Sequence, residues 1–167
     1  MPLLQATHLE QIARALEPSY PEEGCGLVLL DALGALRVHP CENLANALHA
    51  EDPETFPRTA KTFYAIDPRE LILARKRGEK VRVMFHSHCD LGDYFSREDR
   101  LQATMGMGED AGPSHPETDY LVVSVVGGKA ARATLWSYDD DQRRFVRAEL
   151  YDPAHGWEGQ PGDRASE

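Results

Sequence analysis

The sequence predicts an α+β domain in which a mostly antiparallel or mixed β-sheet is flanked by helices. Apolar runs of strand length recur along the chain, and helix-capping patterns separate them. Three strand-like segments then follow one another near the carboxyl end. The predicted order is therefore helix, strands, helix, strand, helix, strands, which favours the α+β class.

The chain begins with a predicted amphipathic helix followed by a β-hairpin. Thr7 and Glu10 have the form of a capping box. The apolar positions at helical spacing are Leu9, Ile12, Ala13 and Leu16. The continuous apolar run 26–30 and the segment 36–38, with a turn around Gly34, predict two paired strands.

The middle of the chain alternates irregular and regular segments. Residues 40–62 contain three prolines and predict a long surface loop that can include a helical turn. Residues 63–66 predict a short strand. Asp67 as N-cap and Pro68 at the first helical position predict a helix that ends at Gly78.

The second half completes the predicted sheet. A strand over 81–85 leads into His86, and Ser96 begins another helix. Residues 106–118, rich in glycine, proline and acidic residues, predict a second loop. Three further strands are predicted over 119–126, 132–138 and 144–150. We expect a single catalytic domain over residues 1–151 and a loosely held polar tail over residues 152–167.

Composition limits the classes of partner. The 167 residues fit one domain, with 41% hydrophobic and 28% charged residues, as in ordinary globular proteins. The net charge of −10 argues against binding to nucleic acid and to anionic membranes. No segment resembles a signal peptide or a membrane span. Three cysteines without a CxxC pair argue against a disulfide framework and favour a reducing cytoplasm.

The residues that carry chemistry lie between His86 and Asp99. Two histidines two positions apart on a strand project to the same side, where they form a natural pair of zinc ligands. Asp99, in the first turn of the next helix, can supply a third ligand. Three protein ligands leave the fourth zinc position for water, which is the catalytic arrangement. The hydroxyl of Ser96 can donate to the oxyanion of a tetrahedral intermediate.

This pattern resembles the signature of the JAMM (MPN+) zinc metallopeptidases in its short bacterial form. Residues 86–99 contain His-Ser-His, then a spacer of seven residues, and then Ser-x-x-Asp. The segment from Tyr20 to Leu27 is similar to the bacterial segment Pro-x-Glu-x-Cys-Gly. The resemblance covers roughly residues 5 to 150, the part of the chain that contains nearly all of the predicted helices and strands.

The resemblance implies an MPN fold, with a curved mixed sheet flanked by helices, and one Zn²⁺ per chain. It implies His86, His88 and Asp99 as metal ligands, Glu23 as the general base, and a supporting role for Ser96. Glu22 is the alternative base if the register of the segment differs by one residue.

One position departs from the family pattern, because the bacterial relatives commonly have proline where Cys89 follows the second histidine. A thiol beside a zinc ligand can coordinate the metal or respond to oxidation. The interpretation we favour is that Cys89 is a small filler. Asp90 and Asp93 are interpreted as solvated loop residues.

The resemblance further implies a peptidase or isopeptidase that cleaves after the C-terminal Gly-Gly of a ubiquitin-like or sulfur-carrier protein. The substrate tail would pair in extended form with an exposed strand edge, and the loops 40–62 and 106–118 would grip its globular part. MPN domains frequently pair, so a homodimer is compatible with the sequence. Two alternatives stay open: a non-catalytic MPN scaffold, and a zinc amidohydrolase that acts on a small-molecule amide. A zinc deaminase would need a Pro-Cys-x-x-Cys segment, which this sequence lacks.

Overall fold

The computed structural model describes residues 1–165, and one mixed sheet forms its centre. The seven strands found in these residues are β1 (Cys25–Leu30), β2 (Leu36–Cys41), β3 (Lys80–Cys89), β4 (Asp119–Val126), β5 (Lys129–Asp139), β6 (Arg144–Tyr151) and β7 (Gln160–Pro161). Their spatial order is β2-β1-β3-β4-β5-β6-β7. Only β3 and β4 pair in parallel. The predicted α+β class is confirmed.

Helices cover both faces of the sheet. The α-helices of the described residues are α1 (Ala6–Leu16), α2 (Ala45–Glu51), α3 (Pro68–Lys76) and α4 (Arg97–Ala103). Short 3₁₀ helices occur at Glu17–Ser19, Glu109–Ala111 and Pro153–His155. Between residues 1 and 165, no helix combines the length and the apolar character needed to cross a membrane.

The first helix starts differently from the prediction. The predicted capping box of Thr7 and Glu10 is wrong, because α1 begins two residues earlier with Gln5 as its N-cap. The backbone N–H of Gln5 donates to Nδ1 of His8 at 3.0 Å. His8 thus provides the acceptor that glutamate provides in the usual pattern. The predicted apolar face of α1 is buried as expected.

The two faces of the sheet carry separate apolar cores, because side chains alternate along each strand. On one face α1 packs against a large core that includes Phe85 and Leu121. On the other face α4 covers an aromatic core around Trp136, and α3 covers a smaller one around Leu27 and Leu29. Each fully buried large side chain stabilises the fold by about 1.5–3 kcal/mol. Since β3 lies between β1 and β4, the cores on both faces of the sheet anchor it.

The predicted strand over 63–66 is wrong, because the side chain of Asn43 takes the place of a strand partner. Its Oδ1 accepts from the N–H of Ala65, and its Nδ2 donates to the carbonyl of Phe63, both at 3.0 Å. The N–H of Leu44 donates to the carbonyl of Ala65 at 2.9 Å. With its backbone groups already satisfied by this loop, the segment joins no sheet.

The segment after residue 151 packs on the sheet over residues 152–165, unlike the loosely held tail expected from its composition. Strand β7 pairs with β6, and Trp157 is buried with Tyr151 in the core beneath α1. Burial of the large aromatic side chain of Trp157 helps to hold this otherwise polar segment on the sheet. Residues 166 and 167 of the predicted tail lie outside the described residues, and the domain division at residue 151 stays a prediction.

Candidate metal centre

Two histidines and one aspartate converge at the carboxyl end of β3. His86 and His88 alternate with Ser87, so both project from the sheet face that carries α4. Their Nε2 atoms are 3.3 Å apart. Oδ1 of Asp99 lies 3.1 Å from Nε2 of His86, and Oδ2 lies 3.2 Å from Nε2 of His88. All three side chains are buried.

The start of α4 orients the aspartate. Ser96 is the N-cap, and its Oγ accepts from the backbone N–H of Asp99 at 3.1 Å. In return, Oδ2 of Asp99 accepts from the backbone N–H of Ser96 at 3.0 Å. These two bonds form a capping box. The positive end of the helix dipole also favours a carboxylate at this position.

The two imidazoles are held in different ways. Nδ1 of His88 donates to the carbonyl of Gly92 at 2.9 Å, which leaves Nε2 as the ring nitrogen that faces Asp99 and could bind a metal ion. The ring of His86 stacks on Tyr64, with 4.1 Å between centroids and 17° between planes. Nδ1 of His86 is buried and has no hydrogen-bond partner among the described residues. No described protein group therefore orients the ring of His86 through Nδ1.

The charges of the cluster shift its pKa values in opposite directions. Burial lowers the pKa of His86. Burial also acts to lower the pKa of His88, but its hydrogen bond with Asp99 and the nearby negative charges raise that pKa overall. For Asp99, burial opposes ionisation, yet the two imidazoles hold the pKa of this carboxyl well below its usual range. Asp99 is therefore a carboxylate at neutral pH.

Glu23 lies immediately before β1 and is only 7% exposed. Burial raises its pKa to about 8; the charges of His88 and Arg58 oppose the shift, and that of Asp99 adds to it. The carboxyl group of Glu23 is thus close enough to the cluster to sense its charges. Its backbone is fixed by hydrogen bonds to the carbonyl of Ala60 at 2.7 Å and from Nδ2 of Asn43 at 2.8 Å.

Glu22, the alternative base, is engaged elsewhere. Its Oε2 accepts from Nδ2 of Asn46 on α2 at 2.6 Å. Unlike Glu23, it is only half-buried. The structure therefore brings Glu23 to the cluster and leaves Glu22 on the neighbouring loop.

The separations between the ligand-type atoms of the three residues are compatible with a zinc ion. Tetrahedral zinc with bonds to nitrogen and oxygen near 2.0–2.2 Å holds neighbouring ligand atoms about 3.3 Å apart. The two imidazole nitrogens are 3.3 Å apart, and each lies 3.1 or 3.2 Å from a different oxygen of Asp99. Two imidazoles and a carboxylate are also a donor set that zinc prefers. The group of His86, His88 and Asp99 could therefore hold a metal ion.

The other polar residues near the centre have structural contacts. Strand alternation directs Cys89 away from the histidines, and burial raises its pKa to about 11, so it is a neutral thiol outside the cluster. Asp90 accepts from the hydroxyl of Tyr20 at 2.7 Å and from the N–H of Gly127 at 2.9 Å. Asp93 accepts from the hydroxyl of Thr134 at 2.7 Å. The two aspartates, expected only to be solvated, hold the loop between β3 and α4 in place.

Sequence reasoning missed two residues that shape the centre. Tyr64 stacks on His86, and Asn43 links the carbonyl of Glu23 to the loop that carries Tyr64. Neither residue belongs to a local pattern that would single it out. Their importance arises from contacts between segments about 20 residues apart in sequence.

Comparison with known proteins identifies the family. Residues 5–147 match the family described as prokaryotic homologs of the JAB domain. The chain belongs to this family. The predicted resemblance to JAB/MPN proteins is thereby confirmed. JAB domains include metallopeptidases and can bind zinc, and prokaryotic members are often non-catalytic.

Two solved structures are similar to this chain. The solution structure of a protein from Salinibacter ruber has a TM-score of 0.56 at 23% identity, with 98% of each chain covered. A solution structure from Desulfitobacterium hafniense has a TM-score of 0.49 at 22% identity, covering 81% of this JAB domain and 82% of that chain. At such identities the first likeness concerns the fold alone. No curated protein sequence matches this JAB domain.

Proposed function

We propose that this JAB domain is a zinc-dependent peptidase or isopeptidase that hydrolyses the bond after the C-terminal Gly-Gly of a ubiquitin-like or sulfur-carrier protein. One observation carries the proposal. The ligand-type atoms of His86, His88 and Asp99 converge with zinc-like separations, and the buried carboxyl group of Glu23 lies close to them. A purely structural scaffold would require neither feature.

Each residue has a distinct task in this proposal. When bound, zinc would supply a Lewis acid that polarises the scissile carbonyl and lowers the pKa of a water molecule to about 7. The Glu23 carboxylate accepts a proton from the attacking water and later donates it to the leaving amine. Burial raises the pKa of Glu23, which favours uptake of a proton, and a bound cation would favour the carboxylate that accepts it.

Ser96 combines positioning with donation. Its Oγ accepts from the N–H of Asp99, and a hydroxyl that accepts one hydrogen bond can still donate its own proton. That proton is the proposed donor to the oxyanion that develops on the scissile carbonyl. The half-buried position of Ser96 supports this role, because reduced solvent strengthens the interaction.

An apolar cavity beside the centre suits part of the substrate tail. Its volume is about 300 Å³, and its apolar lining consists of Phe56, Pro57, Phe63 and Leu101. Arg58 at its rim pairs with Glu98 at 3.0 Å, and its charge acts on Glu23. The cavity therefore adjoins the proposed catalytic carboxyl group and could receive an apolar side chain that precedes Gly-Gly.

Two further features agree with a protein substrate. Strand β2 ends the sheet, so its outer edge is available to an extended peptide. The net charge of −10 favours a substrate with a basic face. We further propose that the loop 106–118 contacts the globular part of the substrate. A cytoplasmic location and a homodimer also belong to the proposal.

The test uses purified protein with a ubiquitin-like or sulfur-carrier protein extended beyond its Gly-Gly, and the products are read by mass spectrometry. We expect cleavage after the second glycine, a loss of at least about 100-fold in Glu23→Gln, and near-normal rates in Glu22→Gln. Unchanged cleavage by Glu23→Gln would overturn the assignment of the base. Zinc far below one ion per chain would favour the scaffold, and cleavage confined to small amides would favour the amidohydrolase.

A further inference from the structure

A second group of ligand-type side chains lies at the edge of the sheet. It consists of His39 and Cys41 on β2 and Glu70 on α3. Nε2 of His39 is 2.8 Å from Oε2 of Glu70, and one ligand atom from each of the three residues lies within 4.8 Å of the others. We propose that this group, the edge cluster, binds a second zinc-class divalent cation that fastens α3 to β2.

The backbone places the edge cluster beside the candidate metal centre without sharing a residue with it. His39 and Cys41 are two positions apart on β2, so their side chains project from one face. Cys41 pairs with Cys25 on β1, and Cys25 pairs with His86 on β3. Side chains in one such row share a face, so the two groups lie about 10 Å apart on the same face of the sheet.

The helix supplies the third ligand in the same way as at the first site. Asp67 caps α3 by accepting from the N–H of Arg69 at 2.9 Å, and Pro68 occupies the first helical position. Glu70 then stands at the third helical position, as Asp99 does in α4. The helix dipole favours a carboxylate at both positions.

The donor set selects the class of cation. An imidazole nitrogen, a sulfur and a carboxylate oxygen together suit zinc and similar borderline-soft ions, whereas calcium and magnesium prefer oxygen ligands alone. The side chains of His39 and Glu70 are 29% and 31% exposed. An ion can therefore enter from solvent and keep water as its fourth ligand.

Binding exchanges a proton for the ion. The bond between Sγ of Cys41 and the metal forms as the thiol proton leaves to solvent. The proton that Nε2 of His39 donates to Glu70 moves through solvent to Nδ1, which frees the Nε2 lone pair for the metal. Burial and the charge of Glu70 raise the pKa of the free Cys41 thiol to about 12. The apparent affinity should therefore increase with pH.

The position of the edge cluster gives the ion a structural consequence. Cys41 directly precedes the segment 42–67, and Glu70 follows it closely. This segment supplies Asn43 and Tyr64, which contact Glu23 and His86. An ion at the edge cluster would link the two ends of the segment 42–67 and so stabilise it. The inference does not depend on hydrolase activity.

Cobalt titration tests the proposal, because Co²⁺ bound to a thiolate has a charge-transfer absorption in the near ultraviolet. The candidate metal centre has no sulfur ligand, so this absorption reports the edge cluster alone. We expect the absorption in the wild type, its loss in Cys41→Ser, and its retention in Cys89→Ser and Asp99→Asn. Glu70→Gln should weaken the cobalt affinity of this signal by about tenfold or more.

The outcomes separate the cation site from a simple ion pair between His39 and Glu70. An absorption that persists in Cys41→Ser, or disappears in Cys89→Ser, would overturn the proposal. Absence of the absorption in the wild type at saturating Co²⁺ would also overturn it, leaving only the ion pair. If Cys41→Ser fails to fold by circular dichroism, Glu70→Gln decides, since it retains all three cysteines.

Discussion

The candidate metal centre and the edge cluster share one plan but lie in different environments. Each combines two side chains, two positions apart on a strand, with a carboxylate at the third position of a helix. At the centre the strand pair is His86 and His88 and the carboxylate is Asp99. At the edge the strand pair is His39 and Cys41 and the carboxylate is Glu70. The centre lies in the middle of the sheet and is buried, whereas the edge cluster is partly open to solvent.

The same local arrangement of ligand-type residues has different electrostatic properties in the two places because the surroundings differ. At the centre, the segment 42–67 contributes Tyr64 over His86, and Glu23 adds a buried carboxyl group with a raised pKa. Desolvation produces this shift and prepares a group for proton transfer. At the edge, solvent reaches the ligands, so the arrangement suits a structural ion.

The largest expected effect comes from removing the carboxylate of each group in turn. Asp99→Asn should weaken zinc binding at the centre by more than about 100-fold, because even loss of a supporting partner costs 10–100-fold. Hydrolysis should be lost with it. Glu70→Gln should keep hydrolysis near the wild-type rate. Chelator competition and cleavage rates measure the two effects, and loss of hydrolysis in Glu70→Gln would mean that the groups are not independent.

The two helix caps provide the next comparison. Ser96→Ala should lower kcat by about 10²–10³ through loss of the oxyanion donor and destabilise the fold by about 1 kcal/mol. Asp67→Ala should cause a similar loss of stability at α3 with kcat unchanged. Steady-state kinetics and urea unfolding separate these effects. Recovery of kcat in Ser96→Thr would support donation, whereas a normal kcat in Ser96→Ala would leave Ser96 as a cap alone.

The remaining comparison concerns the pH dependence of stability in zinc-free protein. The pKa of Glu23 is about 8 in the folded chain against an ordinary value of 4.5. Between these values the folded chain keeps a proton that the unfolded chain has released. The contribution of Glu23 to stability should therefore be fully present below pH 4.5 and fall, by up to about 1.4 kcal/mol per pH unit, as pH rises toward 8.

Glu23→Gln should lack this decline, so its unfolding free energy relative to the wild type should increase across the same range. Urea unfolding in the presence of a chelator measures the difference. Added zinc should abolish it, because a nearby cation favours the carboxylate. An equal change in Glu22→Gln would attribute the effect to net charge instead of burial.

Much of the fold could be predicted because its signals are local. The strand over residues 119–126 and the helix that Asp67 and Pro68 begin agree with the structure. The strand expected at 63–66 failed because Asn43, about 20 residues earlier, satisfies its backbone groups. The expectation of a loosely held tail was wrong because Trp157 is buried in the core beneath α1.

The candidate site could be predicted to a similar extent. The spacing from His86 to Asp99 indicated the ligand set, and the structure brings these side chains together. Their roles, and that of Glu23, stay predictions until metal and activity are measured. No pattern in the sequence connected Cys41 with Glu70, because one lies on an edge strand and the other on a helix 29 residues later.

By itself the sequence determined the α+β class, the family resemblance and the group formed by His86, His88 and Asp99, because strand alternation and helix capping act over a few residues. Only the tertiary structure decided that the buried carboxyl group of Glu23 senses the charges of this group while Glu22 binds Asn46, and that an edge cluster exists. Those outcomes depend on how strands align and loops pack, which brings together residues that are distant along the chain.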